Sequence, residues 1–293
     1  MKILNTLRLA WRSNVLFVEE AKRTFFRRNE KLINNPKWDY LFRASHKQGV
    51  EVVFFDSEKD LVYLKKDDIL VVSSDDYGNF IEILVDKVYM LPPQLNDNFC
   101  VFDMGMNRGY VSLFFANNPN CVKVIGFELD KGVYEKALQN FTLNKSLSNK
   151  IKSYNFGLWN ADEELDILTS ETDTYTSIMS CVDESSHLTT KMQTQKCKKT
   201  VKASVKKSSN ILAPMFQEIN EKKILKIDIE GAEYIVFEDL YNHNLLQQFD
   251  MIVGEVHNGL AGIEKYLDDF VCVNKNHLSD LLITFCYINK RIV

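Results

Sequence analysis

Lys226 and Asp228 interrupt the apolar run at residues 223–229, and Glu230 follows it. Strand alternation predicts that Lys226, Asp228 and Glu230 point to one side of this run. A strand in the middle of a parallel sheet is normally apolar on both faces, and ligands bind beyond its carboxyl end. We therefore predict that these three residues are catalytic, although a structural ion pair between Lys226 and Asp228 would also explain two of them.

The next apolar run, residues 249–256, carries Glu255 and is followed by His257. Neighbouring strands of a doubly wound sheet end at the same edge, so Glu255 and His257 are expected to meet Asp228 in one cleft. His257 is the predicted general base, because an unperturbed imidazole has a pKa of ~6.5. Asp228, Glu255 and His257 are also a candidate ligand set for a divalent cation, although their spacing does not require one.

A second group of residues follows the apolar run at 99–102. Asp103 ends that run, and Gly105, Asn107 and Gly109 follow at alternate positions. Glycine removes side chains where the backbone must turn sharply and approach a ligand. The pattern predicts a strand, a tight turn and a helix that bind the nucleoside part of a cofactor.

Two acids indicate which cofactor this is. Glu128 ends the second apolar run, about 20 residues after Gly109, as expected of a carboxylate that binds ribose hydroxyls. Asp103 would repel a pyrophosphate but suits the cationic amino and sulfonium groups of S-adenosylmethionine. The turn also lacks the third glycine of G-x-G-x-x-G, so a nicotinamide-dependent oxidoreductase is the weaker alternative.

A third predicted strand covers residues 151–156. The turn that follows would lie at the carboxyl end of this strand, where the adenine ring of a cofactor rests. Asn155 and Gly157 in this turn are therefore candidate cofactor contacts. Asn155 could equally be an ordinary turn residue.

Three stretches resemble the FkbM family of S-adenosylmethionine-dependent methyltransferases. They are DMGMNRGYVSLFF at 103–115, VIGFELDKGVYEKALQNFTLN at 124–144 and LKIDIEGAEYIVFEDL at 225–240, in which K-I-D-I-E-G-A-E is the most specific string. The resemblance covers roughly residues 95–260. It implies a class I methyltransferase fold, S-adenosylmethionine as cofactor, and a hydroxyl acceptor on a saccharide, polyketide or similar metabolite. Met106 departs from the family, which more often has a small residue there.

The sequence before this region predicts an N-terminal extension. Residues 1–33 alternate apolar and basic groups, typical of an amphipathic helix that packs on its own domain or, less often, lies on a membrane surface. Four runs between 49 and 91 are rich in Val, Ile, Tyr and Phe and predict a small antiparallel sheet. Pro92 and Pro93 mark the boundary. We predict an extension at 1–94 that covers the acceptor side and a methyltransferase domain at 95–293.

The second half of the chain predicts an insertion and a closing hairpin. A Lys-, Ser- and Thr-rich insertion is expected near 168–210, where seven lysines between 191 and 207 are typical of a solvated loop, although they could also attract an anionic acceptor. Runs at 270–274 and 280–288 predict an antiparallel hairpin at the sheet edge. The predicted fold is therefore α/β, a doubly wound, Rossmann-like class I methyltransferase sheet with an N-terminal helical and antiparallel β extension.

Composition restricts the partners and the compartment. The net charge of -4 provides no general attraction to nucleic acid, and the absence of an N-P-P-Y string at the fourth strand argues against base N-methylation. The six cysteines form no C-x-x-C pair and are typical of small buried side chains in a reducing compartment. Without an 18-residue apolar window or a signal-peptide pattern, we predict a cytoplasmic protein.

These observations together predict an S-adenosylmethionine-dependent O-methyltransferase. Its predicted partner is a small-molecule or glycan acceptor, since a hydroxyl needs a positioned base before it can attack. A binding module that keeps the fold without catalysis is the other alternative.

Overall fold

The computed structural model describes residues 48–56, 59, 61–73, 78–93, 95–170, 176–178 and 198–293. The chain divides into two compact units, and the division falls between Val88 and Tyr89, a few residues before the predicted boundary at 94. The predicted helix at 1–33 lies outside the described residues.

The first unit contains the predicted antiparallel sheet. Its strand order is β1-β2-β3, and both pairs are antiparallel. Buried and partly exposed residues alternate along β2 and β3, which is the pattern of a sheet with one face on a core. The strands are β1 (Glu51–Asp56), β2 (Leu61–Lys66) and β3 (Ile69–Ser73).

The fourth run of this region is helical, so the prediction of a strand there is wrong. Helix α1 (Gly78–Phe80) continues into a π-helical turn (Ile81–Val85). Phe80, Ile81 and Leu84 are buried. Their spacing of one and four residues places them on one helical face, whereas a strand would bury every second residue.

A seven-stranded sheet organises the second unit in the order β13-β14-β12-β11-β4-β5-β6. The five strands from β12 to β6 are parallel to their neighbours, and β14 and β13 are added antiparallel at one edge. This is the predicted class I methyltransferase sheet, closed by the predicted hairpin. Its strands are β4 (Phe99–Met104), β5 (Cys121–Phe127), β6 (Ile151–Tyr154), β11 (Lys222–Ile227), β12 (Met251–Val256), β13 (Phe270–His277) and β14 (Ile283–Asn289).

Helices connect the parallel strands. Asp130 caps one of them as predicted, because its side chain accepts hydrogen bonds from the backbone N–H groups of Gly132 and Val133. Within the described residues no helix is both long and apolar enough to span a membrane, and the cytoplasmic location stays a prediction. The helices are α2 (Tyr110–Ala116), α3 (Lys131–Leu143), α4 (Lys145–Ser148), α5 (Ser208–Glu218), α6 (Glu233–Asn242) and α7 (Ala261–Glu264), with 3₁₀ turns at Leu246–Gln248 and Lys290–Ile292.

A four-stranded sheet in the order β7-β10-β8-β9 occupies much of the predicted insertion. Part of the lysine-rich stretch is therefore strand, not loop. Lys202 lies 3.0 Å from Asp166 and Lys206 lies 3.5 Å from Asp162, so acids distant in sequence neutralise lysines that have no acid nearby in the chain. The strands are β7 (Gly157–Trp159), β8 (Glu163–Ser170), β9 (Thr176–Ile178) and β10 (Lys198–Lys207).

One face of the large sheet is anchored by an aromatic cluster. Phe102, Phe216 and Phe249 are all buried and pack edge to face, with ring centroids 5.1–5.6 Å apart. They come from β4, from α5 and from the segment before β12. This contact fixes β4 and β12 on either side of β11, and these strands deliver the chemically active residues.

Candidate active site

A cleft of about 650 Å³, partly open to solvent, lies at the carboxyl ends of β4, β5 and β11. Ligands bind at this edge in doubly wound sheets, and the volume is typical of a small-molecule site. The cleft is lined by Met104, Gly105, Asn107, Phe127, Glu128, Leu129, Gly157, Leu158, Asp228, Ile229, Glu230 and Ala232.

Glu128 lines the cleft where β5 ends, as predicted for a residue that faces the cofactor. One of its carboxylate oxygens accepts the backbone N–H of Asn107 at 2.8 Å, and the other accepts that of Asp130, also at 2.8 Å. Burial raises the pKa of Glu128 to about 7, against these two donors, which lower it. The carboxylate is therefore fixed by the protein in the absence of a ligand.

The glycines of the first turn serve to pack the chain on itself. Gly105 and Gly109 have φ near +79° and +78°, and Asn107 also lies in the left-handed region at +53°. A Cβ on Gly105 would approach the carbonyl oxygen of Asp228 to 1.8 Å, and one on Gly109 would approach the Phe141 ring to 2.5 Å. Gly105 and Asn107 also line the cleft. Gly109 is required by helix α3, not by close approach to the ligand that the sequence predicted.

Asp103 is buried beneath the turn, which corrects the prediction that its carboxylate faces the cofactor. Its exposure is 0%, and it accepts a 2.6 Å hydrogen bond from the Ser112 hydroxyl on α2. Burial raises the pKa of Asp103, whereas Lys226 and Ser112 act in the opposite direction. The acids that line the cleft are instead Glu128, Asp228 and Glu230.

Lys226 is buried as well, with 2% exposure, and does not line the cleft. Its ammonium lies 3.3 Å from Asp103 and 3.9 Å from Asp228, and donates to the carbonyl oxygen of Gly105 at 2.7 Å. Burial opposes the charge, but Asp103 and Asp228 outweigh it and raise the pKa of Lys226. Lys226 therefore joins the turn after β4 to the end of β11, which is a positioning role in place of the predicted catalytic one.

The remaining predicted cofactor contacts, Asn155 and Gly157, follow strand β6. Gly157 lines the cleft, whereas the exposed Asn155 does not. The Asn155 amide donates to the carbonyl oxygen of Glu128 at 2.9 Å and so supports the backbone of a lining residue. Met106 is buried against Gly126 on β5, away from the cleft, so its size does not narrow the cofactor site.

Four carboxylates surround His257, which is buried next to the lining residues Asp228 and Glu230. The imidazole is 1% exposed, and its Nδ1 lies 3.0 Å from Glu233 Oε1. Its Nε2 lies 3.3 Å from Glu230, 3.6 Å from Glu255 and 3.8 Å from Asp228. The predicted meeting of residues from β11 and β12 is therefore present in the structure.

The same surroundings argue against His257 as a general base. Burial alone would lower the pKa of His257, but Glu230, Glu233 and Asp228 outweigh it and raise the pKa to about 10. An imidazolium at neutral pH has no lone pair to accept a proton. The raised pKa disfavours His257 as the base, whereas the carboxylates of Asp228 and Glu230 line the cleft. The assignment of the base stays a prediction.

The loop after β11 departs from strand alternation. The strand ends at Ile227, earlier than predicted, and Glu230 and Gly231 have φ of +52° and +100°. Glu233 holds this loop, since its carboxylate accepts the backbone N–H groups of Ile229 and Gly231 at 3.0 Å each. A non-glycine residue in the left-handed region is uncommon, and here it turns Glu230 toward both the cleft and His257.

Glu233 is the residue of this cluster that the predicted site did not include. Asp228, Glu233 and His257 each offer one ligand atom within 4.8 Å of the other two, whereas the predicted metal set contained Glu255. Glu255 lies beside the imidazole, as given above, but outside this tightest set. The available signal was an acid in the first turn of a helix, directly after the strand that ends at the cleft.

Comparison with known proteins agrees with this geometry. Residues 103–274, more than half of the chain, match the family model described as the methyltransferase FkbM domain. No curated protein sequence matches the chain significantly.

Two solved structures show distant similarity. An FkbM methyltransferase from Methylobacillus flagellatus KT is 12% identical, with a TM-score of 0.41, over 98% of this chain and 58% of that one. TrmK of M. capricolum, solved with S-adenosyl-homocysteine, is 13% identical, with a TM-score of 0.39, over 69% of each chain. These likenesses are too distant to carry an argument about function. The family match rests on the chain's own residues 103–274, and the chain belongs to the FkbM methyltransferase family.

Proposed function

We propose that this protein transfers a methyl group from S-adenosylmethionine to a hydroxyl oxygen of a saccharide or related metabolite. The observation that carries the proposal is the charge of the cleft. Glu128, Asp228 and Glu230 line it, and none of its described lining residues is Lys or Arg. A cationic cofactor suits such a cleft, whereas the pyrophosphate of a nicotinamide dinucleotide would be repelled.

The residues present fit S-adenosylmethionine. Glu128 is held by two backbone N–H groups at the end of β5, where a carboxylate can accept ribose hydroxyls. Phe127, Leu129 and Leu158 provide apolar surface beside it for an adenine ring. When bound, the cofactor supplies an electrophilic methyl carbon and leaves as a neutral thioether.

The chain's own contribution is to position the acceptor and remove its proton. A hydroxyl is weakly nucleophilic until its proton is taken, and a positioned base contributes about 10²- to 10⁴-fold. Asp228 and Glu230 are the carboxylates at the acidic end of the cleft that can receive this proton. In this proposal Glu128 serves the ribose and these two carboxylates serve the acceptor.

Calorimetric titration with S-adenosylmethionine and with NADH tests the cofactor, followed by a radiolabelled methyl-transfer assay over a panel of hydroxylated glycans. We expect micromolar binding of S-adenosylmethionine alone. We expect at least about tenfold weaker binding in Glu128→Ala, because the ribose carboxylate is lost. Glu135→Ala, at an exposed position on α3, is the matched control and should bind as the wild type does. Binding of NADH alone would overturn the proposal.

A further inference from the structure

Thr169, on strand β8 of the four-stranded sheet, contacts the short segment that carries Glu128. Its hydroxyl donates a hydrogen bond to Asp130 Oδ2 at 2.5 Å. The other carboxylate oxygen of Asp130 accepts the backbone N–H groups of Gly132 and Val133 at the start of α3. The backbone N–H of Asp130 donates to Glu128 Oε1 at 2.8 Å. Asp130 therefore connects Thr169 with the carboxylate that lines the cleft.

Leu129, between the two acids, makes an independent contact with the same sheet. It packs against a buried apolar cluster that includes Trp159 of β7 and Ile167 of β8. Leu129 also lines the cleft beside Glu128. The segment at 128–130 is thus attached to the four-stranded sheet twice, by a hydrogen bond and by apolar packing.

The register of β8 brings both contacts to one face of the sheet. Ile167 and Thr169 are two residues apart and therefore point to the same side of the strand. Asp166 points to the other side, where it is exposed and pairs with Lys202. A shift of one residue in the pairing of β8 would turn the Thr169 hydroxyl away from Asp130.

We propose that the four-stranded sheet positions the Glu128 carboxylate for the ribose hydroxyls, and that Thr169 is the positioning residue through which it acts. The inference rests on the proposed function, in which Glu128 binds the ribose of the cofactor. Hydrogen bonds depend steeply on distance and direction, so a displaced Asp130 would misalign one of the two N–H donors that orient Glu128. Thr169 is not among the described residues that line the cleft, so its effect passes through Asp130.

Calorimetric titration of the full chain with S-adenosylhomocysteine and with its 2′,3′-dideoxy analogue tests the inference. The ratio of the two affinities reports on the ribose hydroxyls, since all other groups are common to both ligands. We expect the wild type to prefer the hydroxylated ligand at least about tenfold. In Thr169→Val, which replaces the hydroxyl by a methyl group and suits a strand, the preference should fall below about threefold. Thr169→Ser keeps the hydroxyl and should restore the wild-type ratio.

The ratio separates positioning from a loss of stability. Circular dichroism and urea unfolding show how much of each variant is folded, and partial unfolding alone would weaken both ligands equally and leave their ratio unchanged. Thr200→Val, at an exposed position on β10, is the matched control and should retain the wild-type ratio. A wild-type ratio in Thr169→Val, or equal losses of the ratio in Thr169→Val and Thr169→Ser, would overturn the inference.

The same titrations distinguish this failure from that of the proposed function. If the wild type bound neither ligand, the proposed cofactor would be wrong, and the role of Thr169 would be wrong with it. If the wild type bound S-adenosylhomocysteine and Thr169→Val kept the wild-type ratio, only the role of Thr169 would be wrong.

Discussion

At the Glu128 end of the cleft one carboxylate is held by two backbone N–H groups, whereas at the His257 end four carboxylates gather around one imidazole. The first arrangement holds a single carboxylate through backbone donors. The second concentrates several carboxylates around one buried imidazole. The two groups of acids are therefore held by different kinds of contact.

Lys226 contacts the turn after β4 as well as the loop after β11. Its ammonium donates to the carbonyl oxygen of Gly105 in the turn after β4 and lies within ion-pair distance of Asp228 in the loop after β11. The main chain adds a second link, because the N–H of Asp228 donates to the carbonyl oxygen of Met104 at 3.1 Å. The ends of β4 and β11 are therefore joined by one side-chain and one main-chain contact.

The largest expected effect comes from breaking this link with Lys226→Met. The substitution leaves the Asp103 carboxylate buried without its cation, so the free energy of unfolding should fall by about 3–5 kcal/mol in urea denaturation. Lys202→Met is the matched control, because the Lys202–Asp166 pair is about half exposed and should contribute at most about 1 kcal/mol. The double variant Lys226→Met with Asp103→Asn should recover part of the loss. Equal effects in the two single variants would show that the buried pair does not join the ends.

Glu128→Gln tests the environment of Glu128 through the pH dependence of the free energy of unfolding. The Glu128 carboxyl has an ordinary pKa of 4.5, and burial raises it to about 7 in the folded protein. Between these values the folded state retains a proton that the unfolded chain has released. The stability contributed by Glu128 therefore falls as pH rises from about 4.5 to about 7, on the order of 3 kcal/mol in total.

Glutamine cannot titrate, so this component of the pH dependence should disappear in Glu128→Gln. Urea denaturation at half-unit steps from pH 4.5 to 8 measures the difference between the two proteins. Glu135→Gln provides the background profile for an exposed glutamate. A wild-type profile parallel to that of Glu128→Gln would mean that the pKa of Glu128 is not raised. The Glu128 carboxyl would then be more exposed to solvent than the structure shows.

Much of the fold follows from the sequence because the central strands are continuous apolar runs. Strand β4 is buried at every residue, and β5, β11 and β12 are buried at all but one or two positions, which is typical of strands in the middle of a parallel sheet. The helical segment from Gly78 to Val85 was harder to predict. A short run of mixed apolar and polar residues fits the period of a helix as well as that of a strand until the residues that it packs against are known. The acids that pair with Lys202 and Lys206 were equally hard to predict, since they lie on β8 and directly before it, far back along the chain.

The candidate site was predicted by position but not by orientation. Glu128, Asp228, Glu230 and Gly157 line the cleft because each follows a parallel strand or a neighbouring turn. Asp103 and Lys226 are the next-to-last residues of their strands, where a shift of one residue decides whether a side chain points to the cleft or to the core. The local sequence does not determine this orientation, because it depends on whether a buried hydrogen-bond partner such as Ser112 is available.

The smallest effect should come from Asn155→Ala, which tests whether Asn155 acts only through the backbone of Glu128. Its exposed amide donates to that carbonyl oxygen, so its removal should reduce the free energy of unfolding by about 0.5–1.5 kcal/mol. Because the carboxylate itself keeps both N–H donors, affinity for S-adenosylmethionine should fall by less than about tenfold, well below the effect of Glu128→Ala. Calorimetry of the two variants side by side decides the point: an equal loss would make Asn155 a direct cofactor contact, and the Glu128 end would then extend beyond the lining seen in the structure.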